Sequence, residues 1–502
     1  MLELSYIVSK WNLIPQSKWE NTNIIGVSEN SKRIKENFIF VAIVGEHTDG
    51  YKYIPEALRK GAVAIVGGKV LPSEVRFEVD RLKIPYFISR EPRKFLSELA
   101  HILAGDPTKD MVVIGITGTN GKTTVTYMIE NILKERQVKV GRFGTLGYQL
   151  DDEYIEAVHT TPFAEDLVYL FSKAREKGIS HVVMEVSSHS LAQDRVTGIR
   201  FNVCGFTNLT QDHLDYHKTM EDYLKAKLKL FELTAELNGC GVVNISDPYG
   251  RFFLEIPRLK FFTYGYGGDF HPTDVRLDKR GTTFVINSGF ERCNVKMPLI
   301  GRYNVLNALC ASAIAKVLGI EWEYIKRGLE TLRKVPGRFE IIDESTDFTV
   351  VVDYAHTEDG LNKVLTTARE LTEGRIITVF GCGGNRDKAK RPKMGYTAGI
   401  MSDFVIVTSD NPRNEDPMEI IAEIEKGVLS AGRNKGKDFF VIEDREEAIR
   451  FAVNFASKGD MVIIAGKGHE PYQIIGDKKI PFDDREVARK YLKERTCLGN
   501  IH

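Results

Sequence analysis

The chain has 502 residues, 42% hydrophobic and 27% charged; one core does not serve that length, which corresponds to about three domains of ordinary size. Lys plus Arg and Asp plus Glu both number 69, so no net field draws the chain to nucleic acid or membrane, and local groups must hold any anionic ligand. Met1–Lys10 lacks a basic segment followed by a long apolar one, and no apolar run approaches the ~20 residues that cross a bilayer, so a cytoplasmic location is expected. The cysteines at 204, 240, 293, 310, 382 and 497 show no Cys-x-x-Cys pair and no zinc spacing, and read as buried thiols of a reducing compartment.

In the first stretch, 1–107, Phe38–Val44 reads as a buried strand, Tyr53–Lys60 as a helix stopped by Gly61, and Ala62–Val66 as the next strand. Asp106-Pro107 marks a boundary. From 108 to 336 strands alternate with helices, the clearest strands being Met111–Ile116, His181–Val186, Asn202–Thr207 and Gly241–Ile245, which implies a mostly parallel sheet covered by helices. Pro336-Gly337 marks a second boundary. Phe348–Asp353, Arg375–Phe380, Phe404–Thr408 and Met461–Ala465 repeat the pattern in 337–502. Each of these four runs into a polar segment: Tyr354–Thr357, Gly381–Arg386, Ser409–Arg413 and Gly466–Glu470. Ligands of open α/β sheets bind beyond the carboxyl ends of strands, so the four loops are expected to share one crevice. The predicted fold is therefore α/β in three domains.

Gly115-Ile-Thr-Gly-Thr-Asn-Gly-Lys-Thr123 lies between an apolar run and the helical pattern of Thr124–Leu133, the context of a phosphate-binding loop. Backbone N–H groups of Gly118, Thr119, Asn120 and Gly121, with the helix start at Lys122, Thr123 and Thr124, would hold the phosphates of ATP. Lys122 would reach the outer phosphates and the Thr123 hydroxyl Mg2+. The strict motif wants glycine where Ile116 stands. Glu185, after a strand, can complete a Mg2+ shell; His189 beside it reads equally as a loop hydrogen-bonding group. His213, beyond the strand Asn202–Thr207, can bind a second metal ion. In Tyr223-Leu-Lys-Ala-Lys-Leu-Lys-Leu230, Lys225 and Lys229 read as a solvated helix face, while Lys227 falls on the opposite side and points inward.

Gly118–Thr124, Glu185-Val-Ser-Ser-His189, Asp212-His-Leu-Asp215 and Tyr223-x-x-Ala-Lys227 resemble the central domain of the Mur ligases, which join amino acids to the peptidoglycan precursor using ATP. Tyr354-Ala-His-Thr357, Gly381-Cys-Gly-Gly384, Asp410-Asn-Pro-Arg413 and Gly466-Lys-Gly-His-Glu470 resemble the branch that extends UDP-N-acetylmuramoyl-L-alanyl-D-glutamate. The resemblance covers essentially the whole chain. It implies a small α/β UDP-sugar domain (1–107), a central P-loop ATPase domain with a mostly parallel sheet (108–336) and a Rossmann-like C-terminal α/β domain for the amino acid (337–502). It implies that Lys227 reacts with CO2 to form a carbamate, and that His213, Glu185 and the modified lysine hold metal ions between ATP and substrate. Ser31, Glu46, His47 and Thr48 match the uridine end of the site; His159, Thr160, Thr161, Ser187, Gln193 and Arg195 match contacts to the sugar peptide. Asn30, Lys32, His159, Glu358 and Asn385 depart from the family pattern.

The resemblance further implies a monomer whose substrates are ATP, the UDP-sugar dipeptide and meso-diaminopimelate. Asp410-Asn-Pro-Arg413 accompanies meso-diaminopimelate in such enzymes. Burying the distal carboxylate of that amino acid requires a partner, and the fork of Arg413 offers two parallel hydrogen bonds. Asp410, Asn411, Pro412, Gly466 and Glu470 would complete the site, with Arg386 on the other carboxylate. The competing readings are a ligase adding L-lysine or another diamino acid, and a P-loop switch or motor. The latter needs no third domain bearing ligand-facing loops.

Overall fold

The computed structural model describes residues 1–45, 48–342 and 346–499. They fall into two compact units: 1–115, 139–204 and 229–239 in the first, 116–138, 205–228 and 240–502 in the second. The glycine turn at 118–121 and the described strands and helices of the C-terminal third therefore share a unit.

In the first unit, Gly26–Ser28, Phe38–Ala42, Ala62–Gly67 and Tyr86–Ile88 form a parallel sheet with Ile14–Pro15 antiparallel at its edge. Alternate residues of these strands enter two cores, one built on Ile39, Val41 and Val66, the other on Phe40, Ala42 and Ile65. The helix Ile54–Arg59 follows a 3-10 turn over Gly50–Tyr53 and ends before Gly61, whose φ is 95°. Val140–Gly144 pairs in parallel with His181–Glu185 and antiparallel with Gly147–Leu150, a hairpin absent from the sequence reading.

In the second unit the helix Lys122–Glu135 packs against Arg302–Val317 and Trp322–Thr331. Cys240–Asn244 and Lys260–Tyr264 pair in parallel, and the chain then forms the antiparallel meander Phe270–Asp278, Gly281–Ser288, Glu291–Met297. This meander was also not anticipated, because its strands carry polar residues on one face and no strong apolar run. The C-terminal sheet runs in the order Glu340–Ile342, Thr349–Asp353, Met461–Ala465, Ile376–Phe380, Phe404–Val407, Phe439–Val441. All its pairings are parallel except the first. Val351, Phe380 and Ile463 pack under one layer of helices and Val350, Val379 and Ile464 under the other, so the sheet is covered on both faces, as near-continuous apolar strands require. The four central strands direct their carboxyl ends, and hence the four polar loops, to one edge.

Candidate functional site

Gly118 and Gly121 open the turn before the helix with φ of 145° and 90°, values that favour glycine. A Cβ on Gly118 would sit 1.8 Å from Thr207 Oγ1, and one on Gly121 2.4 Å from Asn307 Oδ1. The turn is held from outside: Thr119 N donates to Asn208 O (2.8 Å), Asn120 N to Asn208 Oδ1 (2.9 Å), and Thr207 Oγ1 to Asn120 O (2.7 Å). Lys122 Nζ donates to the carbonyls of Gly118 (2.9 Å) and Thr119 (2.8 Å). Thr123 and Thr124 are buried, and Arg338 Nη2 donates to Thr123 Oγ1 (3.2 Å). A small cavity of about 60 Å3 beside Thr124 is lined by Asn120, Asn307, Arg338, Asp353 and Tyr354 among others.

Lys227 is buried, as its place opposite Lys225 predicts; Lys225 pairs with Glu221 on the surface. Lys229 differs from the solvated reading, since it forms a part-buried ion pair with Asp194. Lys227 Nζ donates to Gly118 O (2.8 Å) and lies 4.5 Å from the Tyr223 ring centre. Burial, then the neighbouring charge of Lys122, push its amine well below the usual lysine range, with Asp212 opposing. His213 sits in the left-handed region (φ 56°) with Nε2 3.4 Å from Asp212 Oδ2. Burial opposes ionisation of Asp212, but His213, His356 and Lys390 around it outweigh burial and hold its carboxyl below the ordinary range. Burial, then the charge of Lys390, push His356 down to about 4, with Asp212 opposing. Glu185 belongs to the first unit, where it is buried and accepts from Thr145 N (2.9 Å) and Thr145 Oγ1 (3.2 Å). Among the described residues no three His, Cys, Asp or Glu side chains form a metal-binding group. A lowered amine pKa favours the unprotonated form, the one from which a lysine carbamate can form.

The four C-terminal loops come together as expected. Gly384 N donates to Asn411 O (2.9 Å), and a Cβ on Gly466 would lie 2.7 Å from Asp410 Oδ2. Asn411 Nδ2 donates to Glu470 Oε2 (2.8 Å), and Asn411 Oδ1 accepts from Lys467 Nζ (3.0 Å) and Ile474 N (2.9 Å). Lys467, fully buried, also reaches Glu470 Oε2 at 3.2 Å. Burial, then Asp410, raise the Glu470 carboxyl. Arg413 has φ of 53° and donates through Nη1 to Gly384 O (2.9 Å); burial, then the charge of Arg386, lower its guanidinium, with Asp410 and Glu470 opposing. Pro412 O faces Gly384 so closely that a Cβ there would lie 1.9 Å away.

In the first unit a cavity of about 760 Å3 is lined by Ser31, Thr48, His159, Gln193 and Arg195, among others. Glu46 and His47 lie outside the described residues. Arg195 Nε donates to Gln193 Oε1 (3.0 Å), Arg195 Nη1 to Thr161 O (3.1 Å), and its guanidinium lies 4.1 Å from the Phe163 ring centre. Thr161 Oγ1 accepts from Ser187 N (3.0 Å), Thr160 Oγ1 meets Thr145 Oγ1 (3.0 Å), and Ser31 Oγ donates to Glu56 (2.7 Å). Glu29 and Glu165 also line this cavity. Burial pushes Glu165 up to about 7.

Several site residues were missed by sequence reasoning. Arg338 follows the turn taken as a boundary, with no spacing to mark it. Lys390 starts a helix downstream of Gly381–Arg386, and Asn307 lies in a helix more than 180 residues after the loop it touches. Lys467 stands inside a motif already singled out, where a cation flanked by glycines at a strand end was the available signal.

The Mur ligase middle domain matches residues 116–315 and the Mur ligase glutamate ligase domain residues 337–468. A relative from Caldanaerobacter subterraneus subsp. tengcongensis, named UDP-N-acetylmuramoyl-L-alanyl-D-glutamate--2,6-diaminopimelate ligase, is 43% identical over 477 residues, covering 94% of this chain and 96% of its own. One of the same name from Clostridium tetani is 44% identical over 478 residues, covering 94% and 95%. A solved structure of a UDP-N-acetylmuramoyl-L-alanyl-D-glutamate--2,6-diaminopimelate ligase superposes with a TM-score of 0.67 at 31% identity, covering 96% of this chain and 97% of its own. With its phosphate loop, its buried Lys227 and its C-terminal loop cluster, the chain belongs to the Mur ligase family.

Proposed function

We propose that the chain is an ATP-dependent amide ligase adding meso-2,6-diaminopimelate to UDP-N-acetylmuramoyl-L-alanyl-D-glutamate. The observation that carries this reading is the loop cluster at the carboxyl edge of the C-terminal sheet, where Asn411, Arg413 and Glu470 converge. A diamino dicarboxylate has two charges of each sign to satisfy. Arg413 and Arg386 suit its carboxylates, and Glu470, beside Asn411, suits an ammonium. The domain roles follow: 1–107 with 108–336 for the UDP-sugar peptide and ATP, 337–502 for the amino acid.

A free carboxylate is a poor acyl donor because oxide would have to leave. A carboxylate of the dipeptide's glutamate attacks the γ-phosphate of ATP, the bond to ADP breaks, and an acyl phosphate results. The amine of diaminopimelate then attacks the acyl carbon, and the tetrahedral species collapses with loss of phosphate and a proton. Lys122 would neutralise charge on the transferring phosphoryl group, and the amides of Gly121 and of the helix start at Lys122–Thr124 would hold the phosphates, because those of Thr119 and Asn120 donate to Asn208. Thr123, His213 and a carbamate on Lys227 would hold Mg2+, with Glu185 as the carboxylate the resemblance adds. When bound, Mg2+ supplies further positive charge to the phosphate oxygens. No protein nucleophile is required, and Cys293, Cys310 and Cys382 are buried thiols with no role in the scheme.

The test is ADP release with each substrate omitted in turn, then with L-lysine or L-ornithine in place of meso-diaminopimelate. Turnover is expected only with the UDP-sugar dipeptide and an amino acid both present, and fastest with meso-diaminopimelate. A preference for L-lysine would overturn the amino-acid assignment, and release indifferent to both would overturn the ligase.

A further inference from the structure

Arg445 opens the helix Arg445–Phe455 and its side chain is fully buried. The Asp444 side chain caps that helix by accepting from Glu447 N (2.8 Å), which fixes where the next residue starts. Arg445 donates through Nε to Asp484 Oδ1 and through Nη2 to Asp484 Oδ2, both at 2.8 Å, a two-pronged pair with a carboxylate that is itself fully buried. The remaining donors go elsewhere. Nη2 reaches Ala465 O at 3.0 Å and Nη1 reaches Ser409 O at 3.3 Å. Nη1 also lies 4.0 Å from Asp410 Oδ2.

Ala465 is the last residue of Met461–Ala465, and Ser409 stands just beyond Phe404–Val407. These strands are not neighbours: Ile376–Phe380 lies between them. Sheet hydrogen bonds therefore cannot set the distance between their exits directly, whereas a planar guanidinium that spans the intervening strand can. The next residues on the two exits meet: a Cβ on Gly466, whose φ of 118° favours glycine, would lie 2.7 Å from Asp410 Oδ2. From there one chain carries Asn411 and Arg413, the other Lys467 and Glu470.

We propose that Arg445 is a positioning residue for amino-acid recognition, clamping from beneath the two loops that carry Asn411, Arg413 and Glu470. This rests on the assignment of those loops to diaminopimelate. A purely structural ion pair would hold the helix Asp484–Gly499 to the sheet and leave substrate affinity alone. The two roles separate experimentally because a buried ion pair can be replaced by apolar side chains of similar volume without loss of stability, while the carbonyl contacts are lost.

The experiment uses the full chain, with thermal unfolding and steady-state kinetics for all three substrates, on Arg445→Lys, on Arg445→Met combined with Asp484→Leu, and on Arg413→Ala as reference. The expected result is a KM for meso-diaminopimelate raised about ten- to a hundredfold in the folded Arg445 variants, the scale of a displacement near 1 Å, with KM for ATP and the UDP-sugar dipeptide within about twofold of wild type. If Arg413→Ala raises that KM and both Arg445 variants leave it unchanged, the positioning role is overturned and the loop assignment stands. If Arg413→Ala leaves it unchanged as well, both fall. Failure of both Arg445 variants to fold would mark a purely structural clamp and overturn the proposal too.

Discussion

Lys122 and Lys227 donate to the carbonyls of Gly118 and Thr119, and Arg338 donates to the hydroxyl of Thr123. Around the C-terminal loops three cations meet carboxylates instead, Lys467 with Glu470 at 3.2 Å, Arg391 with Glu415 at 3.0 Å and Arg445 with Asp484 at 2.8 Å, while Arg413 and Arg386 donate to the carbonyls of Gly384 and Asn385. The first region concentrates positive charge on carbonyl and hydroxyl acceptors, which favours a polyanion; burial first, and the charge of Lys122 second, depress the Lys227 amine. The second is neutralised from within except at Arg413 and Arg386, which meet carbonyls. That suits a substrate whose own charges cancel, for which shape and pairing decide affinity more than net field does.

The sharpest break of the contrast comes from removing positive charge at the phosphate loop. Lys122→Ala is expected to lower ADP formation by about a thousandfold or more, with an unfolding temperature close to wild type, because on the proposed reading the side chain would serve the phosphates and not the core. Near-normal turnover would show that the ATP site is elsewhere. Lys227→Ala is expected to be nearly inactive, and short carboxylic acids should restore part of the rate by occupying the anionic position a carbamate would fill; full activity without additive would sink the carbamate.

In the neutralised region, the same truncation should affect one substrate only. Arg413→Ala is expected to weaken meso-diaminopimelate recognition by on the order of 2–5 kcal/mol, read as a raised KM, with those for ATP and the UDP-sugar dipeptide nearly unchanged. A parallel rise in all three would mean that Arg413 supports the fold and not the ligand.

The smallest effect concerns the internal pairs. The hydrogen bonds from Arg391, with the amide of Asn385 and Lys388 adding to them, hold the Glu415 carboxyl at about 2, below the free value of 4.5. Its contribution to stability is therefore complete above pH 4.5 and is lost as pH falls toward 2. Glu415→Gln should cost about 1–2 kcal/mol in urea unfolding at pH 7, and the gap to wild type should close between pH 4.5 and 2. A gap independent of pH would assign the loss to packing.

Much of this site was legible because local sequence sets it. Gly118 and Gly121 adopt positive φ before a helix, and that signal needs only a few residues. The inward side of Lys227 followed from helical spacing against Lys225, although the same spacing gave no hint that Lys229 meets Asp194. The four C-terminal loops were placed together because apolar strands in a doubly covered sheet must run parallel and exit on one edge.

The sequence by itself thus determined the α/β class, the glycine turn that opens the helix Lys122–Glu135 and the side of its helix on which Lys227 is buried. Tertiary structure alone decided which distant side chains complete them: Arg338 against Thr123 across 215 residues, His356 and Lys390 beside Asp212, Arg445 beneath two strands that do not touch. The physical reason is that hydrophobic periodicity encodes which face of an element is buried. The partner a buried charge finds depends on strand order and helix packing, and no local pattern records those.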